Sequence, residues 1–198
     1  MTLTISSGNI LRLAFSALEL GAISSFGDDS DQAMEAADLY PVALNGILES
    51  TDWSFASRVM ALPPVDTIDG LVADPALPHV FALPNDVLAL RSVGVTGQTR
   101  WRLDDTVLRA DHGAPLPVRY TRRIENEGAI PSLVQDVIGL RLAQLMAPRW
   151  VGSPEKAARI DRRLENSLIM ARRADARNAS PESYTGEPVL DWVAEATR

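Results

Sequence analysis

Two aspartate pairs, two histidines and a row of arginines are the residues of this chain whose types and spacing could do chemistry. Asp28-Asp29 and Asp104-Asp105 could share a proton between carboxylates or offer oxygen ligands to calcium. Each pair also has a local use. Asp29 precedes Gln32 by three residues where an apolar helical pattern begins, the spacing of a capping box. Asp104-Asp105 stands between two strand-like segments, where aspartate makes turns. The run Asp29-Ser30-Asp31 lacks the glycine and distal glutamate of a calcium loop. His79 follows Pro78, and His112 sits in the turn-forming run Asp111-His112-Gly113. Neither has Asp, Glu or Cys at metal-ligand spacing. With no cysteine, thiolate chemistry and disulfides are excluded. No glycine-rich phosphate loop or Gly-x-Ser-x-Gly elbow occurs. The residues therefore point to no catalytic group, cofactor or metal, and to a protein that is not an enzyme.

The arginines carry more information. Lys156 is the only lysine among 19 basic residues. Arg159, Arg162, Arg163, Arg172, Arg173 and Arg177 crowd one segment and spread around a helix at 3.6-residue periodicity. Three readings stay open there: a solvated face, a surface that pairs with a partner's carboxylates through the planar guanidinium fork, and contact with nucleic-acid phosphates. Net charge is −7 and unevenly placed: residues 1–100 hold 12 acids against 4 arginines, residues 101–198 hold 14 acids against 15 bases. Such a split lets one end of a subunit attract the other end of its neighbour. The acids Asp28, Asp29, Asp31, Glu35 and Asp38 are the candidates to meet Arg162, Arg163, Arg172 and Arg173.

The elements that must position these residues follow from periodicity. Ile10, Leu13, Ala14, Ala17 and Leu18 mark a first helix from Ser7 to Leu20, stopped by Gly21. A second helix runs from the Asp29 cap to about Glu49, with Pro41 inside it as a kink point. From Arg58 to Ile124 prolines 63, 64, 75, 78 and 84 break any helical stripe. Short strand-like runs replace it at 80–82, 89–95, 99–103, 106–108 and 117–120. A third helix follows Pro131 and lasts until Pro148. A fourth is capped by Ser153, opens on Pro154 and reaches about Arg177. The expected fold is α+β, mainly α: a bundle of about four helices formed by 1–57 and 125–178, a small antiparallel β insertion at 58–124 between helices two and three, and an extended C-terminal tail at 179–198. In that tail Val189, Trp192 and Val193, with Leu190 beside them, form an apolar stripe too short to stand alone as a helix. It is read as a docking element for a neighbour or partner. No apolar run reaches the ~20 residues of a membrane span, and the first residues lack the pattern of a signal peptide.

Several segments together resemble the tail tubular protein A family of short-tailed phages. Asn9 to Ala22 is similar to that family's opening Ala-Leu-x-x-Leu-Gly helix, and Asp29-Ser30-Asp31-Gln32-Ala33 to its next helix start. Tyr40 falls where the family carries tyrosine. Trp53-Ser54-Phe55-Ala56-Ser57-Arg58 resembles its Trp-x-Phe-Ala segment. Phe81-Ala82-Leu83-Pro84-Asn85-Asp86-Val87-Leu88 resembles its Leu-Pro-x-Asp-x-Leu motif, and Val118-Arg119-Tyr120 its later strand. The similarity spans about residues 9–175, departing at Pro41 and at Ala89, where an arginine often stands. Trp53, Phe55, Pro84 and Asp86 have structural reasons to be there, the aromatics as buried anchors and Pro84 with Asp86 as a turn.

The resemblance implies a structural head-to-tail adaptor of a tailed phage or phage-derived gene-transfer particle. Its implied partners are the portal protein, neighbouring copies in a ring expected to be a dodecamer, and a downstream tail or stopper (nozzle) protein. DNA would pass through the lumen without sequence-specific binding, and no membrane is involved. The implied place is the virion's head-tail junction, with the host cytoplasm as the site of assembly. Two other classes compete: a host-encoded helical interaction or regulatory module, and a hydrolase using Asp104-Asp105 or Asp28-Asp29.

Overall fold

The computed structural model describes residues 8–21, 25–65, 74–94, 99–113 and 115–178. Helices α1 (Gly8–Leu18) and α2 (Asp31–Ser50) come first. Strands β1 (Ser57–Leu62), β2 (His79–Ala82), β3 (Val87–Val93), β4 (Trp101–Asp104), β5 (Val107–Ala110) and β6 (Leu116–Arg122) follow, then helices α3 (Ser132–Trp150) and α4 (Pro154–Ala176). Short 3-10 turns at Ser54–Ala56 and Glu127–Ala129 lead into and out of the strands.

Helix α3 is the hub of the helical part. Helices α1, α2 and α4 all pack on it. Its buried residues, among them Val134, Val137, Ile138, Leu140, Leu142 and Met146, spread around much of the helix because it has three neighbours to cover. The α1 contact is the closest. A Cβ at Gly139 would lie 2.9 Å from Leu13 Cβ and 3.1 Å from the Ile10 carbonyl oxygen, so only glycine lets the two backbones approach this far.

The expectation of a helical bundle carrying one small β insertion is corrected. Two three-stranded antiparallel sheets stand between α2 and α3, ordered β1-β6-β3 and β2-β5-β4. They have a core of their own, in which Leu62, Val93, Leu116, Val118 and Tyr120 of the first sheet meet Phe81, Leu108 and Ala110 of the second. That core is distinct from the helical one. Strand β1 is the element the periodicity does not show. Its residues Ser-Arg-Val-Met-Ala-Leu have no clean alternation of burial, and Met, Ala and Leu favour helix when judged locally. It is a strand because β6 pairs with it residue for residue, from Ser57 opposite Thr121 to Leu62 opposite Leu116. A pairing partner so distant in sequence leaves no local signal.

Local chemistry sets the ends of several elements. The α2 cap lies one residue later than the capping box places it: Ser30, in extended conformation, accepts from the Ala33 N–H. Asp29 is outside the helix. Pro41 lies within α2, which nonetheless runs on to Ser50. Helix α3 likewise passes through Pro148 to Trp150. Helix α4 opens on Pro154 with Ser153 Oγ accepting from the Lys156 N–H. In the β4–β5 hairpin Asp105 takes the left-handed turn conformation, φ 55°.

Candidate functional site

Three of the sequence segments singled out above meet at one side chain. Asp86 follows Pro84 in the turn between β2 and β3. Its carboxylate accepts from Arg58 Nη1 on β1 at 3.2 Å and from Tyr120 Oη on β6 at 3.1 Å. Its backbone carbonyl accepts from the Arg123 N–H at 2.7 Å. Asp86 stands in the turn expected of it with Pro84, where an aspartate side chain commonly bonds backbone N–H groups. Here its side chain ties the start of β3 to the edge strand β1 and the central strand β6, while the turn closes by the Val87 N–H donating to the Pro84 carbonyl. Trp53 is fully buried, and its Nε1 donates to the Ile47 carbonyl at 2.8 Å. Phe55 is half-buried beside it, ring centroids 6.0 Å apart.

Arg91 joins the sheets to the helices, and a buried contact ties α2 to the turn before α3. Arg91 on β3 donates from Nη2 to the carbonyls of Leu48, Glu49 and Thr51 at 3.1, 2.9 and 2.9 Å, and from Nε to Thr121 Oγ1 at 2.8 Å. These carbonyls are the acceptors a helix leaves open at its C-terminal end. Tyr40 of α2 donates its hydroxyl to Glu127 in the 3-10 turn before α3. Both groups are buried. Burial pushes the Glu127 carboxyl above the ordinary glutamate range, against the Tyr40 hydrogen bond, which lowers it.

The charge split is used partly within the chain. Glu19 takes Lys156 and Arg159 of α4, which hold its carboxyl below the ordinary range. Glu35 accepts from Arg149 and from Trp150 Nε1, each at 2.8 Å. Asp31 stands 3.9 Å from the same Arg149. Asp28 accepts from Ser25 Oγ at 3.3 Å. Arg172 turns to Thr51 Oγ1 at 2.9 Å. Of the four arginines expected to face a neighbour, Arg172 is thus engaged at home. Arg162, Arg163 and Arg173 lie exposed on α4.

Two helix faces are turned outward, while Val59, Trp101, Leu103 and Leu133 are exposed elsewhere. On α2 the exposed face carries Met34, Asp38, Val42 and Glu49 at helical spacing, and Asp31 and Glu35 at its start reach Arg149 of α3. The helix has four acids and no base. On α4 only one side packs inward, through Ile160, Leu164, Ala171 and Asp175. The opposite side carries Arg162, Asn166, Ile169 and Arg173, with Arg163, Glu165 and Met170 alongside. Met34, Val42, Ile169 and Met170 are 55%, 54%, 47% and 59% exposed.

The other candidates resolve into local roles. Asp104 pairs with Arg102 at 2.7 Å and with the buried Arg109 at 2.9 Å. Arg102 is the main reason its carboxyl lies below the ordinary range. The His79 ring lies directly over Gly113, where a Cβ would come within 2.5 Å of it. Among the described residues no group of three His, Cys, Asp or Glu could hold a metal ion, and no helix is long and apolar enough to cross a membrane. An open cleft of about 400 Å³ at the α3–α4 turn is lined by Gln144, Pro148, Val151 and Asp161, among others. Another, of about 320 Å³, lies beside Asp86, Arg122, Arg123 and Glu125. Neither aspartate pair lines these two clefts. Val189, Leu190, Trp192 and Val193 lie outside the described residues. Compared with known proteins, the chain matches no family model, and no curated protein matches it significantly.

Proposed function

We propose that the chain is a structural head-to-tail adaptor of a tailed phage or phage-derived particle, assembling as a ring beneath the portal with DNA passing through its lumen. The observation that carries this reading is the convergence at Asp86. The Trp-x-Phe-Ala segment ends on Arg58, the Leu-Pro-x-Asp-x-Leu motif contributes Asp86, and the Val-Arg-Tyr strand contributes Tyr120. These three stretches each resemble the tail tubular protein A family, and their polar ends close on one carboxylate. Residues that depend on each other in space support a resemblance better than the same residues scattered over a surface. Tyr40 and Trp53, which also carry the resemblance, are both buried at polar contacts.

Portal and capsid genes beside the reading frame are the first expectation. The decisive experiment is co-expression of the chain with the portal protein encoded there, followed by native mass spectrometry and cryo-EM of the complex. A ring of copies seated on the portal supports the adaptor. A stable monomer or dimer with no affinity for the portal would overturn it in favour of a helical interaction module.

A further inference from the structure

We infer that the outward faces of α2 and α4 are the two halves of one self-association interface, so that α4 of one copy seats on α2 of the next. The inference rests on the ring reading for its biological setting, but its physical basis is separate.

Most of each face is exposed, although at the start of the α2 face Glu35 accepts from Arg149 and Trp150 of α3 and Asp31 stands 3.9 Å from the same Arg149. Helix α3 lies between the two faces, since α2 and α4 each pack on it, and their outward sides point away from this common hub. Each face has two exposed apolar side chains, Met34 and Val42 on one and Ile169 and Met170 on the other. Charge surrounds these side chains with opposite sign. Asp38 and Glu49 frame the α2 pair with no base on the helix, while Asp31 and Glu35 at its start turn to Arg149 of α3. Arg162, Arg163 and Arg173 frame the α4 pair and outnumber the one acid among them, Glu165.

Symmetric pairings are disfavoured on both sides. An α2–α2 contact would set acids against acids, and an α4–α4 contact mostly arginines against arginines, and like charges brought together oppose association. Only the unlike pairing matches apolar centre to apolar centre and acid to arginine. Because its two surfaces are different, it is heterologous and repeats from copy to copy, as a ring requires. The arginine fork suits carboxylate partners, and rim charges of this kind set register and encounter rate.

The absence of cysteine from the sequence makes the test clean. Met34→Cys or Val42→Cys protein is mixed with Ile169→Cys protein under mild oxidation, alone and on portal-bearing heads. The mixed disulfide is expected to dominate both symmetric products. In parallel, Arg162→Glu/Arg173→Glu and Asp38→Arg/Glu49→Arg proteins are each checked for an unchanged melting temperature and then weighed by mass photometry. Each alone is expected to lose assembly. An equimolar mixture is expected to regain it, since every contact in an alternating ring is again between opposite charges. Symmetric disulfides, or variants that still build full rings on the portal, would overturn the α2–α4 interface while leaving the adaptor reading standing. Mixed disulfides and rescue by mixing, without any affinity for the portal, would support the interface and remove the adaptor. Wild-type protein that never self-associates, alone or with the portal, would overturn both.

Discussion

Glu127 is the residue whose environment departs furthest from what its type invites. A carboxyl in an apolar setting loses hydration that a single tyrosine hydroxyl only partly replaces, and burial raises its pKa. The sign follows from proton uptake. Between the ordinary value of about 4.3 and the raised folded value, the native state binds more protons than the unfolded one, so stability falls as pH rises. Glu127→Gln keeps an acceptor for Tyr40 without the charge. It is expected to raise the melting temperature at pH 7 to 8, with the gain vanishing near pH 4. Glu127→Ala strands the Tyr40 hydroxyl and should cost about 1–3 kcal/mol in urea unfolding. Asp104 behaves oppositely. Its lowered pKa, set mainly by Arg102, gives stability present above the ordinary aspartate value of about 3.9 and lost as pH falls through the folded one.

At the scale of elements, two contacts hold the architecture. The α1–α3 approach depends on Gly139, where an added methyl would press on α1 backbone and the Leu13 side chain. Gly139→Ala is expected to destabilise by about 1–3 kcal/mol, the usual cost of overpacking, measured as a shifted urea midpoint with an unchanged slope. The joint between sheets and helices depends on Arg91, which gathers three terminal carbonyls of the α2 region in one guanidinium. Arg91→Ala is expected to lose about 1.5–3 kcal/mol, the range for hydrogen bonds to a charged group. Arg91→Lys should recover little, because an ammonium cannot reproduce the fork. Full rescue by lysine would show that charge alone matters there.

For the whole molecule, the separation of two cores is the governing feature. The helical part and the paired sheets each bury their own apolar residues, and the polar tie from Arg91 to the α2 carbonyls helps link them. Contacts of the tail belong to this scale too. If the stripe of Val189, Trp192 and Val193 docks on a neighbour or the portal, deleting residues 180–198 leaves the unfolding of the isolated chain nearly unchanged. Retention on portal-bearing heads should then be lost, since tryptophan is enriched among residues whose truncation costs about 2 kcal/mol or more in binding. A large drop in melting temperature after that deletion would show the stripe packed on its own subunit.

Four helices were legible from the residues alone because amphipathic periodicity and the Ser153-Pro154 cap act over a few neighbouring positions. The acidic character of α2 and the arginine-rich outer side of α4 were legible for the same reason. Strand β1 was not, because Ser57–Leu62 becomes a strand only through pairing with β6. The division into two sheets was hidden too, since β6 and β5 each choose two partners from strands that are not all adjacent in sequence. Asp86 could be placed in a turn by its neighbours, yet its partners Arg58 and Tyr120 come from other strands. Tertiary structure also decided which charges remain free. Glu19, Glu35 and Arg172 find partners across the fold, while Arg162, Arg163 and Arg173 stay exposed, and only packing can sort like side chains in this way. Local order is written in spacing along the chain, whereas pairing over long separations is settled by which surfaces the whole fold brings together.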